Sequence, residues 1–495
     1  MPLTKIVCTL GPATESPEVI RAMIRAGMTV ARLNFSHGTH ATKREMVDMV
    51  RRVAEEEACH IALMGDLQGP KIRVGQVPEG GVLLEDGQVI ILTAGEIPDP
   101  LLYIPFPHPD IIADVERGDR ILLDDGTLEL EALAIKPPEL HCRVRLGGKL
   151  TSRKGVNLPH VKLKIPALTE KDKEDAVLAL ELKLDFLALS FVRRAADVVE
   201  LRDYLEALAN APHERHVGQD PHQTPSIVAK IEKPEALEDL EAIVMAADAV
   251  MVARGDLGVE TPPERVPLVQ KDIICLCNRM SKPVITATQM LQSMIEAPRP
   301  TRAEASDVAN AILDGSDAVM LSGETSVGKY PVESVRMMSK IAESVEASES
   351  FPYNQLLDTD LEHLEIPDTV LISSAISRAT VVISRAAHGS AILSSTESGR
   401  TARTVARHRP RVPLLGITPF DSTARRMQLI WGVIPAVVGA FSDTDQMIQT
   451  MVQAAVARGY ADVGSHVILT AGIPFEVHGV TNMLKVHTVR PVDVP

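Results

Sequence analysis

No hydrophobic run in the 495-residue sequence is long enough to cross a membrane. A membrane-spanning helix needs roughly 18 or more apolar residues in succession. The first strand-like run, TKIVCTL, begins at residue 4 and leaves no room for a secretory signal peptide. We therefore expect no membrane partner and a cytoplasmic location.

Basic charge and paired cysteines are also lacking. Lysine and arginine total 51 against 66 aspartates and glutamates, so the formal net charge is −15. Because nucleic acids require a basic surface, we expect no nucleic-acid partner, and a small anionic substrate would need its own positive pocket. The five cysteines show no C-x-x-C or Cys/His spacing, which indicates reduced, buried thiols, including the near pair Cys275 and Cys277.

The sequence does contain eight short apolar runs, most of them separated by amphipathic segments of helical period. The runs cover residues 4–10, 30–36, 60–66, 186–192, 226–232, 249–256, 283–289 and 318–325. Eight hydrophobic strands alternating with helices predict an α/β fold, a closed (β/α)8 TIM barrel, with a doubly wound open sheet as the alternative. The segment TRAE at 301–304 follows a proline and is typical of a helix start.

The alternation is interrupted once, after the third run. Turn signals such as EDGQ, RGDR and DDGT separate short alternating runs there, which predicts a small all-β lid domain on the active-site face of the barrel. A further α/β pattern follows a linker near residue 350. We expect a barrel over 1–70 and 167–348, the inserted lid over 71–166, and a C-terminal α/β regulatory and oligomerisation domain over 349–495.

Polar side chains collect at the predicted strand ends, where barrel enzymes carry their catalytic groups. They are Arg32, Asn34, Ser36, Asp66, Ser190, Lys230, Glu232, Arg254, Asp256, Thr288, Gln289, Ser322 and Glu324. In SIVAKIE, Lys230 and Glu232 are two positions apart and lie on one side of the strand. One such pair could be a salt bridge at a strand end, but polar groups at seven strand ends predict a site.

The types of these side chains indicate phosphoryl transfer. Glu232 and Asp256 end successive strands and can reach one Mg²⁺, while Lys230 and Arg32 supply positive charge. The turn ARGDLGVE contains two glycines and lets backbone N–H groups converge on an anion. The sequence has no Walker motif and no protein-kinase glycine loop, so the residues alone indicate a Mg²⁺-dependent barrel enzyme acting on a small phosphorylated or carboxylated substrate.

Several long motifs resemble the pyruvate kinase family, from TKIVCTLGPA to VTNMLKV. They are NFSHGTH, SRKGVNLP, SIVAKIEKPEAL, VMVARGDLGVE, KPVITATQMLQSMI and PRPTRAEASDVANAILDGSDAVMLSGETSVGKYP. The resemblance implies transfer of a phosphoryl group from phosphoenolpyruvate to ADP, giving pyruvate and ATP in the last step of glycolysis. It also implies Mg²⁺ or Mn²⁺ as cofactor, a barrel with an inserted lid, and a homotetramer.

The resemblance assigns roles residue by residue. Glu232 and Asp256 match the metal ligands, Lys230 matches the lysine that stabilises the phosphoryl group and the enolate, and Arg32 matches a contact to the phosphate. The nucleotide side is matched by Asn34, His37, Arg73 and Lys154. The substrate carboxylate is matched by the backbone of Ala253, Gly255 and Asp256 with the Thr288 hydroxyl. Thr288, Ser322 and a water chain remain alternative proton donors.

Some of these residues have simpler interpretations. His37 could cap the following helix, and His40 is not expected to be a ligand. Asp124 and Asp125 match a lid position near the nucleotide, but DG between strands equally predicts a hairpin turn. Glu324 is expected to be a structural hydrogen-bond acceptor.

One departure from the family pattern concerns K⁺. Many members have Asp-Thr-Lys-Gly-Pro-Glu, whereas here Leu67, Gln68 and Lys71 replace the threonine, lysine and glutamate. The charges of Asp66 and Lys71 already cancel, so Lys71 is expected to substitute for the ion and K⁺ not to be required. In the alternative, Lys71 points to solvent and Asn34, Ser36 and Asp66 hold K⁺.

A loop in the C-terminal domain resembles the family's effector site. Its candidate residues are Ser394, Ser395, Thr396, Ser398, Gly399 and Arg400. They lead into a predicted helix, a good position for an anion, although a plain βα loop would need no ligand. The partner loop at 472–482 lacks the tryptophan and arginine of members activated by fructose bisphosphate, so we expect a sugar monophosphate or AMP.

Two other functions remain open from the residues. Mg²⁺-dependent aldolases and lyases of pyruvate enolates share a KIE-like strand end, but they lack the inserted RKGVNLP segment. A ligand sensor with an inactive barrel would not need intact Lys230, Glu232, Asp256 and Thr288.

Overall fold

A computed structural model describes residues 1–159, 161, 164–209, 220–353, 368–473 and 481–493. Its first part alternates strands and helices, as the sequence predicts. The elements are β1 (Lys5–Leu10), α1 (Pro17–Ala26), β2 (Val30–Asn34), α2 (His40–Glu56) and β3 (Ala62–Asp66). Helix α1 begins with Ser16 as its N-cap, whose side chain accepts a hydrogen bond from the Val19 N–H.

The inserted segment forms two sheets, in which most strand pairs are antiparallel, with a hydrophobic core of their own. Its elements are β4 (Val82–Leu84), β5 (Val89–Thr93), β6 (Tyr103–Pro105), α3 (Pro109–Asp114), β7 (Arg120–Leu123), β8 (Leu128–Lys136), β9 (Glu139–Leu146), β10 (Gly148–Leu150) and β11 (Val156–Asn157). Six strands pair in the order β11-β7-β8-β9-β5-β6, and β10 pairs with β4. The short helix α3 is the one element of the insertion that an all-β pattern did not predict.

The alternation then resumes to complete the barrel. The elements are α4 (Glu170–Glu181), β12 (Phe186–Leu189), α5 (Ala195–Ala209), β13 (Ser226–Ile231), α6 (Leu240–Ala246), β14 (Ala249–Ala253), α7 (Arg254–Glu260), α8 (Val266–Arg279), β15 (Val284–Ala287), α9 (Arg302–Leu313), β16 (Ala318–Leu321), α10 (Gly323–Ser326) and α11 (Pro331–Glu346). Helix α9 starts with the predicted capping box, in which Thr301 and Glu304 each bond the other's backbone N–H.

Eight parallel strands close into a barrel in the order β1-β16-β15-β14-β13-β12-β3-β2. This confirms the closed barrel and excludes the doubly wound sheet. The described helices include none that is long and apolar enough to cross a membrane. We call the end where the strands finish the barrel mouth and the end where they begin the barrel base.

The C-terminal part is a second α/β unit. It contains α12 (Asp368–Ala386), β17 (Ala391–Ser395), α13 (Arg400–Ala406), β18 (Leu414–Thr418), α14 (Asp421–Arg426), β19 (Val433–Val437), α15 (Thr444–Ala457), β20 (His466–Ala471) and β21 (Met483–Thr488). The sheet order is β19-β18-β17-β20-β21, and only β21 runs antiparallel to its neighbour. The C-terminal α/β domain is therefore confirmed.

The C-terminal unit packs against the barrel base through arginine–carboxylate pairs. Arg425 Nε lies 2.8 Å from Asp185 Oδ1, and Arg409 Nη1 lies 2.9 Å from Asp317 Oδ1. Leu429 joins the cluster of apolar side chains inside the barrel. The base is thus a buried domain interface, while the mouth is left for the insertion and for ligands.

The cysteines differ in part from the expectation of buried thiols. Cys8, Cys142 and Cys277 are buried, whereas Cys59 is half-buried and Cys275 is exposed. The expectation was wrong for Cys275, because α8 is amphipathic and residues two positions apart on a helix point to different faces. None of the five cysteines forms a disulfide.

Candidate active site

Four charged side chains meet at the barrel mouth. Lys230 Nζ lies 2.8 Å from Glu232 Oε1 and 3.1 Å from Asp66 Oδ1, and it donates to Ser190 Oγ at 2.7 Å. Arg32 reaches the other oxygen of Asp66, with Nε at 2.7 Å and Nη2 at 2.6 Å from Oδ2. Four of the predicted strand-end residues, Arg32, Asp66, Lys230 and Glu232, therefore form one connected network of buried charges.

Asp66 is the centre of this network, with one positive group on each carboxylate oxygen. Burial alone would raise the pKa of Asp66, but Arg32 and Lys230 outweigh burial and hold the pKa below its usual value. Burial would likewise lower the pKa of Lys230, but Asp66 and then Glu232 hold it well above its usual value. Lys230 therefore stays a cation throughout the neutral pH range.

Two supports of the network escaped the sequence analysis. Thr9 at the end of β1 accepts a hydrogen bond from Arg32 Nη1 at 2.8 Å and donates to the Leu321 carbonyl at 2.9 Å. The Phe191 N–H donates to Glu232 Oε2 at 2.7 Å, with Phe191 at φ 56°. Thr9 could have been found as a polar residue near the end of the first strand; a backbone donor carries no such signal.

Glu232 and Asp256 are close enough for their charges to interact. Burial raises the pKa of Glu232 against the opposing charge of Lys230, and the Asp256 carboxylate adds to the rise. The part of the chain that the structure describes holds no cluster of three or more His, Cys, Asp or Glu side chains able to bind a metal. Two carboxylates alone suit a Mg²⁺ ion that takes its remaining ligands from substrate and water.

The turn after β14 is joined to the end of β15 by Thr288. The Gly255 N–H donates to Thr288 Oγ1 at 2.7 Å, and the Thr288 hydroxyl donates to the Ala287 carbonyl at 2.6 Å. Helix α7 begins at Arg254, so Gly255 and Asp256 lie in its first turn next to Ala253. Thr288 has φ 69°, an uncommon conformation for a β-branched residue.

Two strand-end residues have structural roles. Arg254 turns toward the helices, where Nη2 lies 2.7 Å from Asp307 Oδ2 and also donates to the Thr288 carbonyl at 2.9 Å. Glu324 accepts from the Leu291 and Ser322 N–H groups at 3.0 and 2.8 Å, which confirms its expected structural role. The Ser322 hydroxyl is buried without a hydrogen-bond partner among the described residues.

The residues assigned to the nucleotide side come from two parts of the chain. On the barrel, Asn34 Oδ1 accepts from the Ser36 N–H at 2.9 Å, and partial burial lowers the pKa of His37, with Lys71 as the next largest cause. On the insertion, Arg73 is exposed and Lys154 Nζ lies 2.8 Å from Asp124 Oδ1. His40 instead lies 2.8 Å from Asp175.

A cavity of about 650 Å³ adjoins Asn34 and His37. Its apolar wall includes Pro12, Met46 and Met49. A ligand with an aromatic ring system and a charged group could place its rings against that wall and direct its charged group toward the barrel mouth.

Comparison with known proteins decides the family. A model of the pyruvate kinase barrel domain matches residues 1–335, and a model of the pyruvate kinase alpha/beta domain matches residues 374–487. The chain belongs to the pyruvate kinase family. Pyruvate kinases transfer a phosphoryl group from phosphoenolpyruvate to ADP in glycolysis, and the family generally uses Mg²⁺ and K⁺. The chain is accordingly a phosphotransferase with these two substrates, and the aldolase alternative is wrong.

Individual pyruvate kinases are similar over almost the whole chain. Those of Staphylococcus aureus strains MRSA252 and USA300 are each 44% identical over 490 residues, which is 98% of this chain and 80% of the relative. The crystal structure of a pyruvate kinase from Cryptosporidium parvum matches with a TM-score of 0.86 and 33% identity, covering 98% of this chain and 96% of that one.

The loop that resembles the pyruvate kinase effector site follows β17. Ser394 is buried with no partner for its hydroxyl among the described residues, and Gly399 has φ 84°. Beyond it, the Thr401 and Thr481 hydroxyls are 3.0 Å apart. Most of the predicted partner loop, residues 474–480, lies outside the described residues.

The conformation of Thr288 leads to a prediction about pyruvate kinase stability and turnover. Thr288→Ser keeps the hydroxyl but removes the β-branch at a positive φ, so it should raise the free energy of unfolding by about 1 kcal/mol. The serine variant should also retain most of the turnover. Thr288→Ala should lose turnover, because the Gly255 N–H then has no acceptor. Thermal unfolding and kcat of the three proteins are the measurements; equal activity of the alanine and serine variants would show that the hydroxyl is dispensable.

Proposed function

We propose that the charge network at the mouth holds the transferring phosphoryl group. In this proposal Lys230 and Arg32 neutralise the phosphoryl oxygens, and Lys230 also stabilises the enolate left behind. The observation that carries it is the shared carboxylate of Asp66, which fixes both cations in advance. Catalysis then needs little reorganisation of charge as the phosphoryl group moves to ADP.

Glu232 and Asp256 would hold the Mg²⁺, or Mn²⁺ in its place. When bound, such an ion neutralises phosphate charge and orients the substrates. The substrate carboxylate is proposed to lie against the backbone of Ala253, Gly255 and Asp256, with the Thr288 hydroxyl beside it. This placement is supported by the first turn of α7, where a Cβ at Gly255 would lie 3.3 Å from Thr288 Oγ1, so a glycine lets the turn and the Thr288 hydroxyl lie close together.

The last chemical event is protonation of the enolate carbon to give pyruvate. Lys230 is held between the carboxylates of Asp66 and Glu232, which favour its charged form, so we propose an electrostatic role for it. The Thr288 hydroxyl is already committed to the Ala287 carbonyl, whereas Ser322 has no partner among the described residues. We therefore propose that the proton arrives through Ser322 and a water chain.

ADP is proposed to bind between the barrel and the insertion. Asn34, His37, Arg73 and Lys154 would contact its phosphates, and the base would occupy the cavity beside Met46 and Met49. Asp124 and its neighbour Asp125 have φ 52° and 55°, as expected for a hairpin turn, so a nucleotide role for them requires the insertion to move.

We also propose three domains, over 1–70 with 167–348, over 71–166, and over 349–495. Separate hydrophobic clusters in the barrel, the insertion and the C-terminal sheet support this division. The family favours a homotetramer, which light scattering would test. The glycolytic role supports a cytoplasmic location, which cell fractionation would test.

The first test concerns Lys230 and Glu232. Lys230→Met should lower kcat on the order of 10²-fold or more with a smaller change in substrate affinity, because it removes a preorganised charge. Lys230→Arg is the matched control and should recover part of the rate.

Glu232→Gln should abolish most turnover and weaken metal binding. Assays coupled to pyruvate formation at varied Mg²⁺ measure both; a Lys230→Met defect confined to KM, or unchanged Mg²⁺ dependence of Glu232→Gln, would contradict these roles.

The second proposal is that this pyruvate kinase does not require K⁺. Both Asp66 oxygens are taken by Lys230 and Arg32, and Asn34 Oδ1 is taken by the Ser36 N–H. Little oxygen capacity is left for a monovalent ion. The Lys71 side chain is exposed, so it would take the place of K⁺ only when the insertion closes toward the mouth.

Full activity is therefore expected with Mg²⁺ in a buffer of bulky organic cations. Lys71→Glu should create a K⁺ requirement, whereas Lys149→Glu, an equal charge change at an exposed site of the insertion, should not. Initial rates at constant ionic strength measure this. A wild-type enzyme that is nearly inactive until K⁺ is added would show that Lys71 points to solvent and that K⁺ is still bound.

The third proposal is an effector with one phosphate, a sugar monophosphate or AMP, bound by Ser394, Ser395, Thr396, Ser398, Gly399 and Arg400. One phosphate is expected because the loop offers one cluster of hydroxyls and a single exposed arginine. Binding of such a ligand should lower the apparent KM for phosphoenolpyruvate. Rates at low substrate with each candidate test it. Strong activation by fructose bisphosphate, with no effect of monophosphates, would overturn the proposal.

A further inference from the structure

A second pair of buried charges lies next to the proposed metal ligands. Lys233 directly follows Glu232 in the chain, and its ammonium group pairs with the carboxylate of Glu260. Only 11% of the Lys233 side chain and none of the Glu260 side chain is exposed. A buried ion pair seldom stabilises a fold more than apolar side chains of similar volume would, so stability alone does not explain this pair.

The pair joins the two chain segments that carry the proposed metal ligands. Glu260 is the last residue of α7, and Asp256 lies in the first turn of the same seven-residue helix. Lys233 and Glu232 are neighbours just beyond the end of β13. Because a helix of this length is only about 10 Å long, a contact at its last residue also restrains its first turn.

Lys233 also supports the backbone donor that holds Glu232. Its Nζ lies 5.7 Å from the centroid of the Phe191 ring, which is within the range of a cation–π contact. The Phe191 N–H in turn donates to Glu232 Oε2 at 2.7 Å. Lys233 therefore restrains Glu232 in two ways, as its neighbour in the chain and through Phe191.

The insertion contacts the same end of α7. Asn157, on the insertion strand β11, donates from Nδ2 to Glu260 Oε1 at 3.0 Å, and the same oxygen pairs with Lys233. The other oxygen, Glu260 Oε2, is buried and has no hydrogen-bond partner among the described residues. A Cβ added at Gly126 of the insertion would lie 3.7 Å from Val259 Cγ1, so a second part of the insertion approaches this end of the helix. The Glu260 carboxylate is thus shared between the insertion and the barrel.

We propose that Lys233 and Glu260 are positioning residues that couple the insertion to the metal site. While Asn157 contacts Glu260, the ion pair holds α7 against the end of β13. Glu232 and Asp256 then keep the separation that one divalent ion requires. When the insertion moves away, Glu260 loses a donor and the restraint on both ligands weakens. The inference rests on the proposed metal roles of Glu232 and Asp256.

The experiment measures Mn²⁺ binding to the full chain without substrates, from the electron paramagnetic resonance signal of the free ion. Lys233→Met should weaken binding on the order of 10-fold, as expected when a residue that orients a metal ligand is lost. Lys282→Met is the matched control, because Lys282 is a half-buried lysine at the barrel base that donates to the Met245 and Ala247 carbonyls. Unchanged Mn²⁺ affinity in Lys233→Met, or an equal loss in both variants, would overturn the proposal.

The double variant Lys233→Met/Glu260→Leu separates positioning from stability. Removal of both charges leaves no unpaired buried ion, so the melting temperature should stay near that of the wild type even where Lys233→Met alone does not fold. Mn²⁺ binding should nevertheless remain on the order of 10-fold weaker, because an apolar pair offers no acceptor to Asn157 and no ionic contact to α7. A double variant with the Mn²⁺ affinity of the wild type would contradict the positioning role.

Asn157→Leu tests the contribution of the insertion. It keeps a similar volume but removes the donor to Glu260, so Mn²⁺ binding should weaken about threefold, as expected for one hydrogen bond. Gln88→Leu is the control, because the Gln88 side chain accepts the Glu85 N–H within the insertion, and this variant should bind Mn²⁺ as the wild type does. Wild-type affinity in Asn157→Leu would show that the insertion is not coupled to the metal site.

Glu232→Gln distinguishes a failure of this inference from a failure of the proposed function. If Glu232→Gln weakens Mn²⁺ binding while the variants of Lys233, Glu260 and Asn157 do not, the positioning role alone is wrong. If Glu232→Gln binds Mn²⁺ as tightly as the wild type, the assignment of the metal ligand is wrong, and the coupling proposed from it falls as well.

Discussion

The buried carboxylate of Asp66 is the constraint on which the barrel mouth depends. Two cations, Arg32 and Lys230, would repel each other in a site with little water, and each alone would be costly to bury. Asp66 accepts from both, one on each oxygen, so the two positive groups are held side by side at fixed positions. Positive charge arranged before the substrate arrives is what phosphoryl transfer requires.

Carboxylates have a parallel role at the barrel base. Asp185, Asp248 and Asp317 each precede a strand, and each accepts a backbone N–H of a neighbouring strand on Oδ2. Each is also paired with an arginine, and for Asp185 and Asp317 that arginine comes from the C-terminal unit. Asp185 and Asp317 thus join neighbouring strands at their starts and also attach the second domain. Changes at the interface can therefore reach the barrel through its strand starts.

Much of this arrangement could be predicted from the sequence. The number of apolar runs gave the barrel, and the rule that parallel strands end at one edge brought Lys230, Glu232, Asp256 and Thr288 together. The rule does not predict the direction of a side chain, so it could not predict that Arg254 pairs with Asp307 on the helices instead of facing the mouth. Nor could it reveal the Phe191 N–H, because backbone donors at positive φ depend on the tertiary fold. Contacts between the domains, such as Arg409 with Asp317, join positions 92 residues apart and leave no local pattern.

The two substrates meet different degrees of preparation. The charges proposed for phosphoenolpyruvate are buried on rigid strand ends and already paired, so their positions cost little when the substrate binds. The charges proposed for ADP include Arg73 and Lys154 on the insertion, where Arg73 is exposed and Lys154 is occupied by Asp124. They must exchange water or an ion pair for the nucleotide. In the proposed site the barrel therefore supplies the charges for the phosphoryl donor and part of the ADP site, through Asn34 and His37, and exclusion of water from the reacting phosphate depends on the insertion.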